Sequence, residues 1–187
     1  MRRIDTEIPG VVLVEPVVHG DHRGFFMESY HRDRFAELGI DCEFVQDNHS
    51  RSRAGVLRGL HYQLGRPQAK LVRATIGRVF DVVVDLRRGS PTFGRWVGAE
   101  LSDANHRMLF APAGFGHGFL VLSEVAEFQY KCSDFYAPEE ERGIRWDDPT
   151  LGIEWPTVNV GPILSGRDLE WPYLKDAPDE DLPRYNA

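Results

Sequence analysis

Arg58-Gly-Leu-His-Tyr-Gln63, with Pro67-Gln-Ala-Lys70 close behind it, sets a histidine inside a strand-like apolar run and an ammonium group nine residues later. The chain on both sides of this stretch is strand and turn. Strands are expected over residues 11–18 (interrupted by Pro16), 25–30, 56–63, 70–76, 79–86, 94–101, 108–112 and 119–122. Two further runs alternate. Phe44, Gln46 and Asn48 share one face with Val45, Asp47 and His49 on the other, and Ala126, Phe128, Tyr130 and Cys132 oppose Glu127, Gln129 and Lys131. Gly114-Phe-Gly-His-Gly118 reads as a tight corner, and residues 32–38, closed by Gly39, as the one clear helix of the first half. Short strands spaced about ten residues apart predict an all-β antiparallel sandwich or small barrel. Beyond Pro138 the chain turns polar and proline-rich, with Trp146, Trp155 and Trp171 as anchors. The expectation is a single domain, with its core at residues 11–148 and an extension at 149–187.

Composition narrows the function. With 187 residues, 42% of them hydrophobic, the chain can build one sizeable core. A net charge of −7 argues against broad binding of nucleic acid or of an anionic membrane. An anionic small ligand would need a local basic cluster. Residues 1–10 lack the apolar core of a secretion signal, and no apolar run approaches the ~20 residues of a membrane span. Cys42 and Cys132 read as free thiols in a reducing cytoplasm.

Several polar side chains fall in apolar rows. Lys70 lines up with Val72, Ala74 and Ile76, Tyr130 with Phe128 and Cys132, and His117 with Phe115 and Phe119. Burying any of them costs free energy unless it is partnered, so together they predict a polar cavity inside the barrel. An imidazole and a cation sharing that cavity suit proton abstraction beside a carbonyl. Arg58 and His61 are an odd number of positions apart, so a regular strand sends them to opposite faces; a bulge at Gly59 would re-aim one.

Pro112-Ala-Gly-Phe-Gly-His117 has the spacing P-x-G-x-x-H and resembles the second motif of the cupin superfamily. Metal-binding cupins pair it with His-x-His, where this chain has His61-Tyr-Gln63. One imidazole and one amide make a poor chelating pair, so no metal is expected.

A set of ordered motifs is more specific than any one of them. Asp21-x-Arg-Gly-x-Phe-x-Glu28, Gln46-Asp-Asn48, Leu57-Arg-Gly-Leu-His-Tyr-Gln63, Pro67-Gln-x-Lys70, Pro112-x-Gly-Phe-x-His-Gly-Phe119, Tyr130-Lys-Cys132 and Trp146-Asp-Asp-Pro149 follow one another. Together they closely resemble the dTDP-4-dehydrorhamnose 3,5-epimerase family. The resemblance implies a cupin-type jelly roll with short helices, a homodimer, no metal and no organic cofactor. It implies a dTDP-4-keto-6-deoxy sugar as substrate, within dTDP-L-rhamnose synthesis.

Carried over to this chain, the resemblance makes His61 the base, Tyr130 the acid on the other face, Lys70 the holder of the ketone oxygen and Asp168 the residue that orients His61. Asp168 lies in Ser165-Gly-Arg-Asp168, where the family segment usually reads Ser-x-Lys-Asp. Arg23, Glu28, Gln46, Asp47 and Asn48 match contacts to the nucleotide sugar, as do Arg58, Lys70, His117, Glu141 and Arg167. Tyr136 matches an aromatic that stacks on thymine, and Arg23 and Glu28 are expected from the partner subunit. The alternatives are an epimerase acting at C3 only or C5 only, a sugar-binding cupin without activity, and a metal-dependent cupin dioxygenase or isomerase.

Overall fold

The structure is a computed structural model that describes residues 1–185. The chain opens with β1 (Arg2–Asp5), β2 (Val12–Glu15), β3 (Val18–Asp21) and β4 (Gly24–Met27), then α1 (Arg32–Glu37). The central run is β5 (Gln46–Arg53), β6 (Leu57–Gln63), β7 (Lys70–Ile76), β8 (Arg78–Asp85) and β9 (Trp96–Ser102). It continues through β10 (Met108–Ala111), β11 (Phe115–Val121), β12 (Val125–Cys132) and β13 (Glu141–Gly143), and α2 (Gly166–Glu170) lies in the extension.

The strands form two facing sheets, in the orders β1-β2-β10-β7-β12-β5 and β13-β6-β11-β8-β9, with β3-β4 as a separate hairpin. All pairings between these strands are antiparallel. This is the jelly-roll arrangement of an all-β fold. Between the sheets lies the main core, which includes Val72, Ala74, Val79, Val83, Leu109, Phe115, Phe119 and Phe128. A second cluster covers the outer face of the six-stranded sheet, where Phe35 of α1 packs with Val12, Val14, Leu71 and Met108. A third covers the outer face of the five-stranded sheet. There Leu151, Leu174 and Leu182 of the extension pack on Leu60, Val82, Val84 and Leu86.

That covering explains why β8 is apolar on both sides. Val82 and Val84 meet the extension, while Val79, Val83 and the fully buried Asp81 face the barrel interior. Five expectations are corrected. Pro16 divides the first expected strand into β2 and β3, which belong to different sheets, and β1 was not foreseen. The glycine-rich segment after Pro112 is mostly strand β11 rather than a corner; only Gly114, at φ 85°, makes the turn. The inward row of β7 ends at Ala74. The ladder with β12 shifts register beyond it, and Ile76 is 46% exposed. Strand β13 was missed because three residues carry too little periodicity.

Candidate active site

A cavity of about 590 Å³ opens between the sheets. The five-stranded sheet contributes Arg58, His61, Gln63 and His117, and the facing six-stranded sheet contributes Gln46, Asn48, Lys70 and Tyr130. Tyr136 and Glu141 come from the stretch that includes β13, and Ser165 and Asp168 from the start of α2.

Gly59 decides that Arg58 and His61 meet there. His61 pairs with His117 and Arg58 with Phe119, so three steps along β6 match two along β11. This bulge puts both side chains on the cavity wall. Gly59 has φ 121°, and a Cβ on it would lie 2.5 Å from Gly118 Cα. Only glycine fits both the backbone and the space.

His61 Nε2 is 2.5 Å from Asp168 Oδ1. Ser165 caps α2 by accepting from the Asp168 amide at 3.1 Å, and its hydroxyl donates to Asp168 Oδ2 at 2.7 Å. Burial pushes the Asp168 carboxyl up. The hydrogen bonds from His61 and Ser165 outweigh it and hold the group below its ordinary range. An ionised carboxylate only accepts, so Nε2 of His61 carries the proton and Nδ1 is left to accept one.

His117 has a carboxylate of its own. Its Nε2 lies 2.9 Å from Oδ2 and 3.0 Å from Oδ1 of Asp81. Burial pushes Asp81 up, against the opposing pull of His117 and Lys70. The His117 ring stacks on Phe128, which in turn packs on Phe119.

The opposite wall is built differently. Lys70 lies directly across from Cys132, and Tyr130 across from Val72 on one side and Asn48 on the other. Burial pushes the Lys70 ammonium below the ordinary lysine range and the Tyr130 hydroxyl above the ordinary tyrosine range. Arg58 donates to Ser52 Oγ at 3.2 Å and, among the described residues, pairs with no carboxylate. The wall thus keeps one cation and one phenol facing open space, with a guanidinium across from them.

Most residues named from the sequence converge here: Gln46, Asn48, Arg58, His61, Lys70, His117, Tyr130, Tyr136, Glu141 and Asp168 all line the cavity. Arg167 sits outside the lining and forms an ion pair with Glu141. Glu141 also accepts from the Tyr136 hydroxyl at 3.1 Å. Asp47 is set apart by alternation; it faces away from the cavity and pairs with Lys131 at 2.9 Å. Within one chain Arg23 and Glu28 also lie elsewhere. Arg23 pairs with Asp21 at 2.5 Å on the exposed β3–β4 turn, and Glu28 with Arg34 at 3.0 Å.

Two functional groups escaped sequence reading. Asp81 lies inside the expected strand over residues 79–86, and its pairing with His117 depends on the β8–β11 ladder. Gln63, read as a failed metal ligand, is a loop anchor. It donates to Arg66 O at 2.7 Å and to Phe135 O at 3.2 Å, and accepts from the Ala137 amide at 2.8 Å, fixing the loop that bears Tyr136. Among the described residues no three His, Cys, Asp or Glu side chains are grouped to hold a metal ion.

The family model described as dTDP-4-dehydrorhamnose 3,5-epimerase matches residues 5–176. The chain belongs to this family. The epimerase is 59% identical to the Pseudomonas aeruginosa dTDP-4-dehydrorhamnose 3,5-epimerase, over 95% of this chain and 98% of that one. A Legionella pneumophila 3,5-epimerase solved in complex with dTDP-4-keto-L-rhamnose superposes with a TM-score of 0.97 at 51% identity, covering 100% and 99% of the two chains. A 3′-monoepimerase from Streptomyces bikiniensis, solved with dTDP-quinovose, superposes with a TM-score of 0.90 at 38% identity, covering 96% and 92%. The epimerase is therefore an isomerase-class enzyme of sugar nucleotides with the cupin-type jelly roll of its relatives.

Proposed function

We propose that the epimerase inverts C3 and C5 of dTDP-4-dehydro-6-deoxy-D-glucose to give dTDP-4-dehydro-L-rhamnose, with His61 as base, Tyr130 as acid and Lys70 as the group that holds the 4-keto oxygen. The observation that carries this reading is the placement of His61 and Tyr130 on facing sheets of one cavity. Inversion removes a proton from one face of a carbon and returns one to the other. A base and an acid on opposite walls meet that need.

His61 Nδ1 takes the proton next to the ketone. The electron pair moves into the carbonyl, and the enolate oxygen is stabilised by the Lys70 ammonium in a water-poor site. Asp168 offsets the charge that forms on His61. Tyr130 then gives its phenolic proton to the opposite face, and solvent restores both groups. The step is redox-neutral and routes no electron through a cofactor. Arg58 supplies positive charge for the diphosphate, and Tyr136, 48% exposed at the cavity mouth, offers a face for the base. Full activity after prolonged chelator treatment is expected. Loss reversed by a divalent ion would reverse the metal-free reading.

We read the enzyme as a cytoplasmic homodimer in which the partner supplies Arg23 and Glu28. The support is the β3–β4 hairpin, which carries Arg23 beside Phe25 and Phe26, 61% and 72% exposed. The cysteines are free, and among the described residues no helix is long and apolar enough to cross a membrane. Light scattering at micromolar concentration should give twice the chain mass; a fully active monomer would overturn the dimer.

A second reading, inversion at C3 alone, is favoured by the likeness to the Streptomyces bikiniensis monoepimerase. Proton NMR of dTDP-4-keto-6-deoxyglucose with enzyme in deuterated water separates the two. Deuterium at both C3 and C5 with an L-configured product supports the 3,5 reading, and deuterium at C3 alone supports the other.

A further inference from the structure

His61 is held from a second side. Its cross-strand partner on β13 is Gly143, and directly opposed residues project side chains about 5 Å apart. Gly143 projects none, and the Trp171 indole occupies the gap. A Cβ built on Gly143 would lie 2.6 Å from Trp171 Cε2 and 2.7 Å from Cδ2 and Nε1. In that slot the indole stands edge-to-face with the His61 imidazole, with centroids 6.2 Å apart and planes at 65°, within the range of favourable aromatic pairs. The Arg167 guanidinium lies over the indole, 5.3 Å from its centroid, and its ion pair with Glu141 ties it to β13. The backbone fixes the segment on both sides: the Arg145 amide donates to Pro172 O and the Arg145 side chain to Leu169 O, each at 3.0 Å.

Trp171 immediately follows α2, which bears Asp168. Seating the indole therefore does two things. It limits rotation of the imidazole, and it fixes the helix whose carboxylate holds Nε2. We infer that Trp171 is a positioning residue for His61, and that Gly143 is small so that the indole can enter. The inference rests on the proposed role of His61 as base. Trp171 does not line the cavity, so its effect belongs in turnover rather than in substrate binding. Its indole N–H is buried and has no hydrogen-bond partner among the described residues. The ring thus acts through shape, and a phenyl ring should replace much of it.

The test compares Trp171→Leu, Trp171→Phe and Gly143→Ala in the full chain. Gly143 lies outside the positive-φ region, so alanine there acts by intruding on the indole rather than by straining the backbone. Because misplacing a catalytic group by about 1 Å costs up to ~10²-fold, Trp171→Leu and Gly143→Ala should each lower kcat about ten- to a hundredfold with KM nearly unchanged. Trp171→Phe should recover most of the loss. The proton between His61 Nε2 and Asp168 is expected to give a downfield NMR resonance in the wild type; it should broaden or vanish in the first two variants and persist in Trp171→Phe. If Trp171→Leu does not fold, Gly143→Ala decides. Wild-type kcat with an unchanged resonance, or a rise in KM alone, overturns the inference. His61→Ala is run alongside: if that variant keeps solvent exchange at the substrate carbon, the base assignment has failed, whatever the Trp171 variants show.

Discussion

The two walls of the cavity solve opposite problems. On the five-stranded sheet each imidazole has a carboxylate: His61 has Asp168 at 2.5 Å and His117 has Asp81 at 2.9 Å. On the six-stranded sheet Lys70 and Tyr130 form no ion pair or hydrogen bond with a carboxylate among the described residues, and burial acts on them unopposed enough to move both away from their charged forms. A base that becomes cationic in mid-reaction benefits from a waiting anion. A group that must hold a developing enolate benefits from having none, since a resident anion would compete for the ammonium. On the proposed roles of His61, Lys70 and Tyr130, the walls differ because their charge changes in the reaction differ.

The sharpest way to break this comparison is to remove the paired wall's base. His61→Ala should lower the rate by ~10²–10⁴ and abolish solvent exchange at the substrate carbon, measured by deuterium incorporation. Next comes the unpaired wall. Lys70→Gln should cost ~10²–10³ in kcat, as loss of an oxyanion donor does. If kcat holds and only KM rises, Lys70 binds the sugar without stabilising the enolate.

The pH profile separates the two groups of that wall. The proposed mechanism needs Lys70 charged and Tyr130 protonated. Burial lowers the first and raises the second, so the alkaline limb of kcat should belong to Lys70. It should lie below the ordinary lysine pKa of 10.5. A limb that persists in Tyr130→Phe supports this assignment, and one that disappears there transfers it to Tyr130.

The smallest effect is expected at Ser165. Ser165→Ala removes the α2 cap and a hydrogen bond to Asp168, costing about 1 kcal/mol of stability in thermal or denaturant unfolding. Asp168 has a lowered carboxyl pKa, so its contribution is present above the ordinary carboxylate range and is lost as pH falls through the lowered value. Without Ser165 the lowered value moves back up, so that loss should be smaller and complete at a higher pH.

Much of this site was legible in the residues. Lys70, Tyr130 and His117 each interrupted an apolar row, and period-two alternation is robust where one strand face is buried. The bulge at Gly59 was legible as a need rather than as a fact, because Arg58 and His61 had the wrong parity. Asp81 and the shared burial of both β8 faces were not legible. They depend on which strand lies beside β8 and on the extension that covers it, and such contacts are nonlocal. Arg23 and Glu28 matched motifs whose geometry one chain does not complete. The role of Gly143 was invisible, since a missing side chain carries no pattern until its neighbour is known.

The central claim is that base and acid act from opposite walls. Tyr130→Phe tests it most directly, because it removes one hydroxyl and leaves the ring packed against Phe128. In deuterated water, with dTDP-4-keto-6-deoxyglucose as substrate, His61 and Lys70 should still form the enolate. Deuterium should therefore enter at the abstracted position while inversion falls by ~10²-fold or more. Inversion of C3 and C5 at the wild-type rate in Tyr130→Phe would contradict the account.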